Sequence, residues 1–391
     1  MEAVVCGAGI AGLSAAHFLS ANGWDVTVVE RAAGPRPEGY MIDFFGPGWQ
    51  AAGQMGITGR IRELGYRVDR VDYVDGTGRS AAHLGSESFT KMVGDRLTSI
   101  LRPDLELAIR EALPAAVQLH YGTTVTGIAA RAGAAGGRGG KVDVALSDGR
   151  QLTADLLVGA DGIHSEIRSK VFGPESAYFR FLGFHVGAYS FRDGHLQDVP
   201  DNRYVITDTH GEAMFFYRLR DGSISVLGVH RTEQVERPAD IRQEFKTRYR
   251  KLGWLCPQAL EHCPEEFYYD QVAQIRMPRW SSGRVVLLGD AAGAVSLLAG
   301  QGASLAMAGA YVLADELAAH ADVPSALAAF EERWRPRVAE HQKAGESAAK
   351  WFVPRTRRAL LLRRLFLRLI RVPGVSRLVS GAVVGRTGAA V

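Results

Sequence analysis

The spacing of hydrophobic positions switches repeatedly between strand and helix periods along the chain. Residues 3–6 and 25–30 are short β-branched runs around a helix-spaced stretch at 10–21, with Asn22-Gly23 as the turn, so a βαβ unit is predicted. Around Ile109 the spacing is helical again and stops at Pro114; alternating runs follow at 117–128, 142–146 and 152–158. Residues 132–140 are rich in Gly and Ala but precede a strand, which predicts a flexible hairpin loop rather than a phosphate loop. From 179 to 231 the runs are long and β-rich, with turns at Asp193-Gly194, His210-Gly211 and Asp221-Gly222, as in an antiparallel sheet. Strand–turn–helix returns at 284–320. The order predicts an α/β protein: a nucleotide-binding domain (1–71, 95–175 and 270–346) interrupted by a β-rich substrate domain (72–94 and 176–269), then a helical tail at 347–391.

Composition narrows the class. A chain of 391 residues with 47% hydrophobic content can bury the cores of two or three domains. The sequence runs straight into a strand without a basic stretch or cleavage site, so no secretory leader is expected. No run reaches ~18 apolar residues, so no membrane-spanning helix is expected either. Cys6, Cys256 and Cys263 make no disulfide framework. Cys256 and Cys263 lack paired ligands nearby, so no metal is expected, and a reducing cytoplasm is the anticipated setting. The net charge of +4 hides an asymmetry: ten of the 46 Lys and Arg follow Glu346 with no acid among them. The body is therefore mildly acidic and the tail basic, which argues against a nucleic-acid binder.

The first chemical pattern is Gly7-x-Gly9-x-x-Gly12, after a strand and at a helix start. Such glycines permit a tight turn, approach of backbone to a pyrophosphate, and close helix–strand packing, with the helix N-terminus aimed at the phosphates. Glu30 ends the next strand 18 residues beyond Gly12, where a carboxylate can accept from the hydroxyls of an adenosine ribose. The domain is thus expected to be Rossmann-like, and this pattern alone leaves FAD and NAD both open.

Two later runs separate them. Gly159-Ala160-Asp161-Gly162 with Ser165 and Arg168, and Gly289-Asp290-Ala291-Ala292 followed by Gly300-Gln301-Gly302, complete an ordered set. With the first run they resemble FAD-dependent monooxygenases of the single-component aromatic-hydroxylase superfamily, the group that includes p-hydroxybenzoate hydroxylase and the tetracycline-inactivating oxygenases. The resemblance implies that Asp161 and Gly162 lie near the FAD pyrophosphate. It puts Asp290 on the ribityl chain and the helix opening near Ala303 at the pyrimidine edge of the flavin, where its dipole favours the reduced form. Arg102 fits the family's R-x-x-L position on FAD, and Arg36 and Asp43 lie in the segment that closes on the isoalloxazine in relatives. Ile10, Ala11, Arg31 and Val125 complete the implied cofactor set. No residue is assigned as a catalytic acid or base.

There are departures. Relatives commonly carry His after Gly-Asp-Ala-Ala and Pro three before Gly-x-Gly; this chain has Gly293 and Leu297. The Trp-x-Trp-x-x-Pro signature of flavin halogenases is missing, which disfavours halogenation. On the substrate side, Phe181, Gly183, His185, Gly187, Tyr189 and Phe191 share one face by period two, and the two glycines are expected to admit a flat ring beside His185 and Tyr189. Tyr204 and Ile206, and Phe215 and Tyr217, are the other expected substrate contacts.

The resemblance implies transient reduction by NADH or NADPH, O2 activation through a flavin C4a-hydroperoxide, and hydroxylation or epoxidation of a large lipophilic or aromatic molecule. The alternative is an FAD-scaffolded, non-redox cyclase of a natural-product intermediate. A third reading, a lipid-surface protein with vestigial motifs, suffers from the intactness of all three runs. In the tail, Arg357, Arg364, Arg368 and Arg371 cluster on a helical wheel opposite Leu362, Phe366 and Leu369. That pattern is expected to pack its apolar side across the two domains; a weak contact with anionic membrane is the sharper alternative.

Overall fold

Four of the five residues in strand Glu2–Cys6 are buried, as a parallel strand covered on both faces requires. It pairs in parallel with Asp25–Glu30 on one side and Leu156–Gly159 on the other. Gln118–Tyr121 extends the sheet beyond the first, and Val285–Leu287 and the short Ser281–Ser282 beyond the second. Helices Ile10–Ala21 and Gly302–Ala319 pack against each other over this sheet. This computed structural model describes residues 1–36, 39–85, 97–131, 140–194 and 199–369; most of the expected loop at 132–140 therefore lies outside the described residues.

Two predicted strands are each a pair. The run at 117–128 breaks at Gly122 (φ +71°). Gln118–Tyr121 joins the parallel sheet, whereas Val125–Arg131 joins Lys141–Leu146 and Gln151–Ala154 in an antiparallel sheet. The run at 152–158 divides likewise into Gln151–Ala154 and Leu156–Gly159, because one segment cannot pair in both sheets.

A second, seven-stranded sheet runs in the order Tyr268–Ile275, Phe179–Phe191, Ile224–Arg231, Glu212–Arg218, Arg203–Asp208, Arg70–Val74, Ser80–Gly85. Its last-entered strand, Tyr268–Ile275, pairs along Phe179–Phe191, so the inserted sheet continues to Ile275 rather than stopping before 270. Helices Ile241–Tyr249 and Cys256–Glu261 cover one face, where Phe245, Tyr249 and Cys256 bury against Tyr189, Met214 and Phe216. The other face gathers Phe184, Val186, Ile206, Ala213, Val229 and Val272 around Leu298, from the segment after Asp290.

The long helix Val323–Phe352 leads to a final helix, Arg357–Leu369, against strand Ser80–Gly85. Arg231 Nε donates to the Val353 carbonyl at 2.6 Å, fixing the link. The final helix does not turn its expected side inward. Asp208 draws in Arg363 and Arg364, so Leu360, Arg363 and Leu367 are buried while Leu361, Leu362 and Leu365 face out. Among the described residues no helix is long and apolar enough to cross a membrane, and no acidic, His or Cys group could hold a metal ion.

Candidate active site

Three glycines at the start of the first helix have different reasons to be glycine. A Cβ on Gly12 would lie 1.8 Å from the Gly7 carbonyl oxygen, and one on Gly7 (φ +107°) would lie 2.4 Å from that of Ala160. Those two are demanded by the protein's own backbone. Gly9 is not: a Cβ there would meet nothing nearer than Arg102 Nη2 at 3.5 Å. The helix it begins has no side-chain cap and no acid in its first turn, so its N–H groups are left for a ligand.

Glu30 receives the Ala8 N–H at 2.8 Å on one oxygen and the Ala32 N–H at 2.9 Å on the other. Each oxygen keeps a lone pair for a ribose hydroxyl. Val125 is buried beside the Cys6 thiol behind this loop, and burial pushes that thiol up to about 12. Arg31 is exposed, 3.5 Å from Glu166.

Arg102 opens helix Arg102–Glu111 and pairs with Glu106 at 2.8 Å. Burial works against its charge, but Glu106, Tyr40, Tyr268 and Asp290 outweigh that and hold the guanidinium protonated more firmly than usual. Arg36 is exposed and close enough to Glu106 to act on it electrostatically. Across the cleft, burial raises the Asp290 carboxyl above its ordinary value, while Arg102 pulls it down. The helix Gly302–Ala319 presents a second N-terminus without side-chain cap or first-turn acid, and a Cβ on Gly302 would lie 3.7 Å from Asp290 Oδ1.

Gly9, Ile10, Ala11, Arg102, Gly162, Asp290, Gly300, Gly302 and Ala303 thus line one cleft. It brings uncapped helix ends, a free glycine face, Arg102 and Asp290 together, a donor and acceptor set that fits a pyrophosphate and a polyhydroxylated chain. Gly289 (φ +62°) packs at the rear, where a Cβ would come within 2.7 Å of Ala11. Asp161 is placed differently from the expectation. Its carboxylate accepts from Ser165 Oγ at 2.5 Å and the Ile167 N–H at 3.0 Å, so it caps a helix, and the Ala160 and Gly162 backbone lines the cleft instead. Arg168, fully buried, donates to the Ile163 and Ala291 carbonyls and to Glu175, clipping the second run to the third. Asp43 sits behind the lining residue Ile42, accepting from Ser99 Oγ at 2.5 Å; burial raises its pKa.

Tyr40, Ile42, Tyr268, Asp270 and Ser296 also line the cleft without having been anticipated, as does Leu297, which stands where relatives commonly carry Pro. Alternation along strand Tyr268–Ile275 would have found Tyr268 and Asp270 had that strand been assigned to the inserted sheet. Ser296 has φ +105°, an uncommon conformation for a side-chain-bearing residue, directly before Leu297. Gly293 has a packing explanation. A Cβ there would lie 2.8 Å from Val338 and 3.1 Å from Trp280, so these side chains fill the direction in which a histidine would start.

The substrate-side expectation needs correcting. His185 and Tyr189 do share a face, but it is the helix-covered one. His185 is buried between the Tyr269 hydroxyl (2.9 Å) and the Val235 carbonyl (3.3 Å), and Tyr189 donates to the Ala259 carbonyl at 2.7 Å. A Cβ on Gly187 would lie 2.6 Å from Phe245, and one on Gly228 2.7 Å. The flat ring admitted at Gly187 is thus the protein's own Phe245, whereas Gly183 (φ +84°) sits at an irregularity of the strand, with the Thr232 carbonyl oxygen at 3.7 Å as the nearest neighbour of a Cβ there. Tyr204, Ile206 and Phe215 are on the opposite face, with Leu297 and Tyr268. Burial, then the nearby Asp43, raises the Tyr204 phenol well above its ordinary value. The Tyr217 ring lies tilted 5.0 Å from that of Tyr204 and edge-on 5.4 Å from that of Tyr66, at the margin of that face.

The model of the FAD binding domain family matches residues 1–343. An uncharacterised protein of Mycobacterium tuberculosis is 33% identical over 332 residues, spanning 82% of this chain and 85% of its own. A flavin-dependent monooxygenase of Legionella longbeachae is 30% identical over 367 residues, spanning 90% of each. The crystal structure of the tetracycline destructase Tet(51) superposes with a TM-score of 0.78 at 27% identity, covering 94% of this chain and 96% of its own.

Proposed function

The chain belongs to the FAD-binding family of flavin-dependent monooxygenases, and from that premise we propose that it uses NADH or NADPH and O2 to insert one oxygen atom into a large, mostly apolar small molecule. One observation carries the reading most: nine of the expected cofactor positions line a single cleft, and the segment that lines it, through Leu297 and Leu298, continues into the apolar face of the inserted sheet. Bound FAD supplies the redox chemistry, taking electrons from the nicotinamide and activating oxygen.

The chain's own residues bind, orient and exclude water. Glu30 would hold the adenosine ribose, the Gly9 amide and the first helix end the pyrophosphate, and Asp290 the ribityl hydroxyls. Arg102, kept cationic by Glu106, would balance negative charge in the cleft. The end of helix Gly302–Ala319 would favour the reduced, anionic flavin. Phe215 and Leu297, half-buried over the buried Phe184 and Ile206, offer a surface from which water would be displaced, so that an apolar substrate is favoured and reactive oxygen is shielded. Tyr204 packs on this face, with Ser99 and Asp43 near its hydroxyl, and would add a polar edge to it.

Tet(51) suggests the size class to try first, a polycyclic molecule of tetracycline dimensions. The departures at Gly293 and Leu297 are what would favour a non-redox cyclase, and the packing of Trp280 and Val338 at Gly293 gives one of them a structural reason instead. The cytoplasm, with its nicotinamide pool, is the compartment this reading assigns. The test is substrate-dependent NADH or NADPH oxidation with O2 uptake, and a product heavier by one oxygen atom. A product isomeric with its substrate, formed without either consumption, would favour cyclisation.

A further inference from the structure

The final helix has its amphipathic character turned outward. Leu361, Leu362 and Leu365 are 64%, 66% and 53% exposed, and they lie within two turns of one face. On the opposite side Leu360 and Leu367 are buried, and Arg363 lies over the Tyr73 ring at 5.1 Å and pairs with Asp208. A soluble protein ordinarily arranges such a helix the other way round, leucines in and arginines out. The buried ion pair therefore fixes the rotation of the helix and keeps three leucines in water. Exposed beside them are Arg355, Arg357 and Arg358.

We propose that this face docks on an anionic lipid surface. The charge of the chain selects that occupant. From residue 347 to the end there are ten Lys and Arg and no Asp or Glu, and 22 of those residues, carrying Arg371, Arg377 and Arg386, follow the described helix. A second copy of the same face would bring like charges together. An anionic bilayer accepts leucines among its acyl chains and arginines among its headgroups simultaneously. Arg363 and Arg364 are held by Asp208 and serve to orient the helix, not to meet lipid. The helix lies at the edge of the inserted sheet, against Ser80–Gly85, so docking would bring that edge to the lipid surface.

The test is co-sedimentation of the FAD-loaded full chain with phosphatidylglycerol vesicles and, separately, with phosphatidylcholine vesicles. Binding to the first and not the second, lost as salt shortens the screening length below about 10 Å, is expected. The variant Leu361→Ser, Leu362→Ser, Leu365→Ser should bind at least about tenfold less while keeping its flavin, because the changed side chains already face water. Should that variant fail to fold, Arg357→Gln with Arg358→Gln leaves the apolar face intact and should weaken binding severalfold with a shallower salt dependence. No sedimentation, equal binding to both vesicles, or a leucine variant that binds like the parent overturns the proposal. So does a parent that is dimeric and becomes monomeric on the leucine substitutions, which would make the face a self-interface. Loss of binding on deleting residues 370–391 while the leucine variant still binds would assign the effect to tail charge alone, and also overturns it.

Discussion

Replacing Glu30 with Ala tests the cofactor assignment at a point where the structure allows the effect to be divided. Its carboxylate holds two loop amides, Ala8 at 2.8 Å and Ala32 at 2.9 Å. Hydrogen bonds to a charged acceptor contribute about 1.5–3 kcal/mol each when buried. Glu30 is only half-buried, so water recovers part of that, and a loss of about 2–3 kcal/mol for the pair is expected in the ligand-free protein. Losing the ribose contacts should cost FAD binding another ~1.5–3 kcal/mol, which is roughly a 10- to 150-fold rise in Kd. Thermal melts of apoprotein read the first quantity, and quenching of flavin fluorescence on titration reads the second. Glu30→Gln sharpens the comparison, since its amide nitrogen would face one of the two N–H donors. A Kd for Glu30→Ala within about twofold of the parent would refute the placement of adenosine at Glu30, whatever the melts show.

Further expectations follow from the same geometry. Gly9→Ala should leave the apoprotein melt almost unchanged, because its Cβ has room, yet abolish most of the stabilisation that added FAD provides; Gly12→Ala should destabilise the apoprotein itself. Asp290 has a raised folded-state pKa, so at neutral pH its charge subtracts from stability; Asp290→Asn should raise the apoprotein melting temperature while weakening FAD, and a lowered melt with unchanged affinity would contradict this. Burial, with help from Arg248 and His185, lowers His230 to about 3, below its unfolded value of 6.5. The native state then binds fewer protons, so stability present above pH 6.5 is lost on acidification, by about 2 kcal/mol at pH 5; denaturant titrations should show this slope in the parent and a flatter one in His230→Gln. His185→Ala should lower stability and leave KM for the organic substrate alone, whereas Phe215→Ala should raise that KM; the reverse outcome would restore the discarded face.

The cofactor half of the site was legible because its chemistry is local. A pyrophosphate turn needs glycines at fixed intervals, and the short connections from strand to helix that carry Gly7, Gly162 and Asp290 each fit within a dozen residues. Strand order then follows from pairing Glu2–Cys6 with its neighbours, and the cleft forms where those turns meet. Even so, the division of labour inside the turns was not local: Gly7 and Gly12 serve backbone packing while Gly9 faces the cleft, and Asp161 caps a helix.

The inserted sheet was only half legible. Period two along Phe179–Phe191 correctly groups His185 with Tyr189, because alternation is a property of one strand. Which group the helices leave toward the cleft depends on where Ile241–Tyr249 and Cys256–Glu261 land, more than fifty residues later. A strand buried on both faces carries no mark that distinguishes them. The final helix teaches the same lesson from the opposite direction. Its sequence specified an apolar side and a basic side, but Asp208, 155 residues before Arg363, decided which side faces inward, since a buried carboxylate without a partner costs more than leucines left in water. Sequence determined the cofactor and, within many of the elements, which residues share a face; only the tertiary structure decided where some elements divide and what each face meets, because those choices are made by residues far away along the chain.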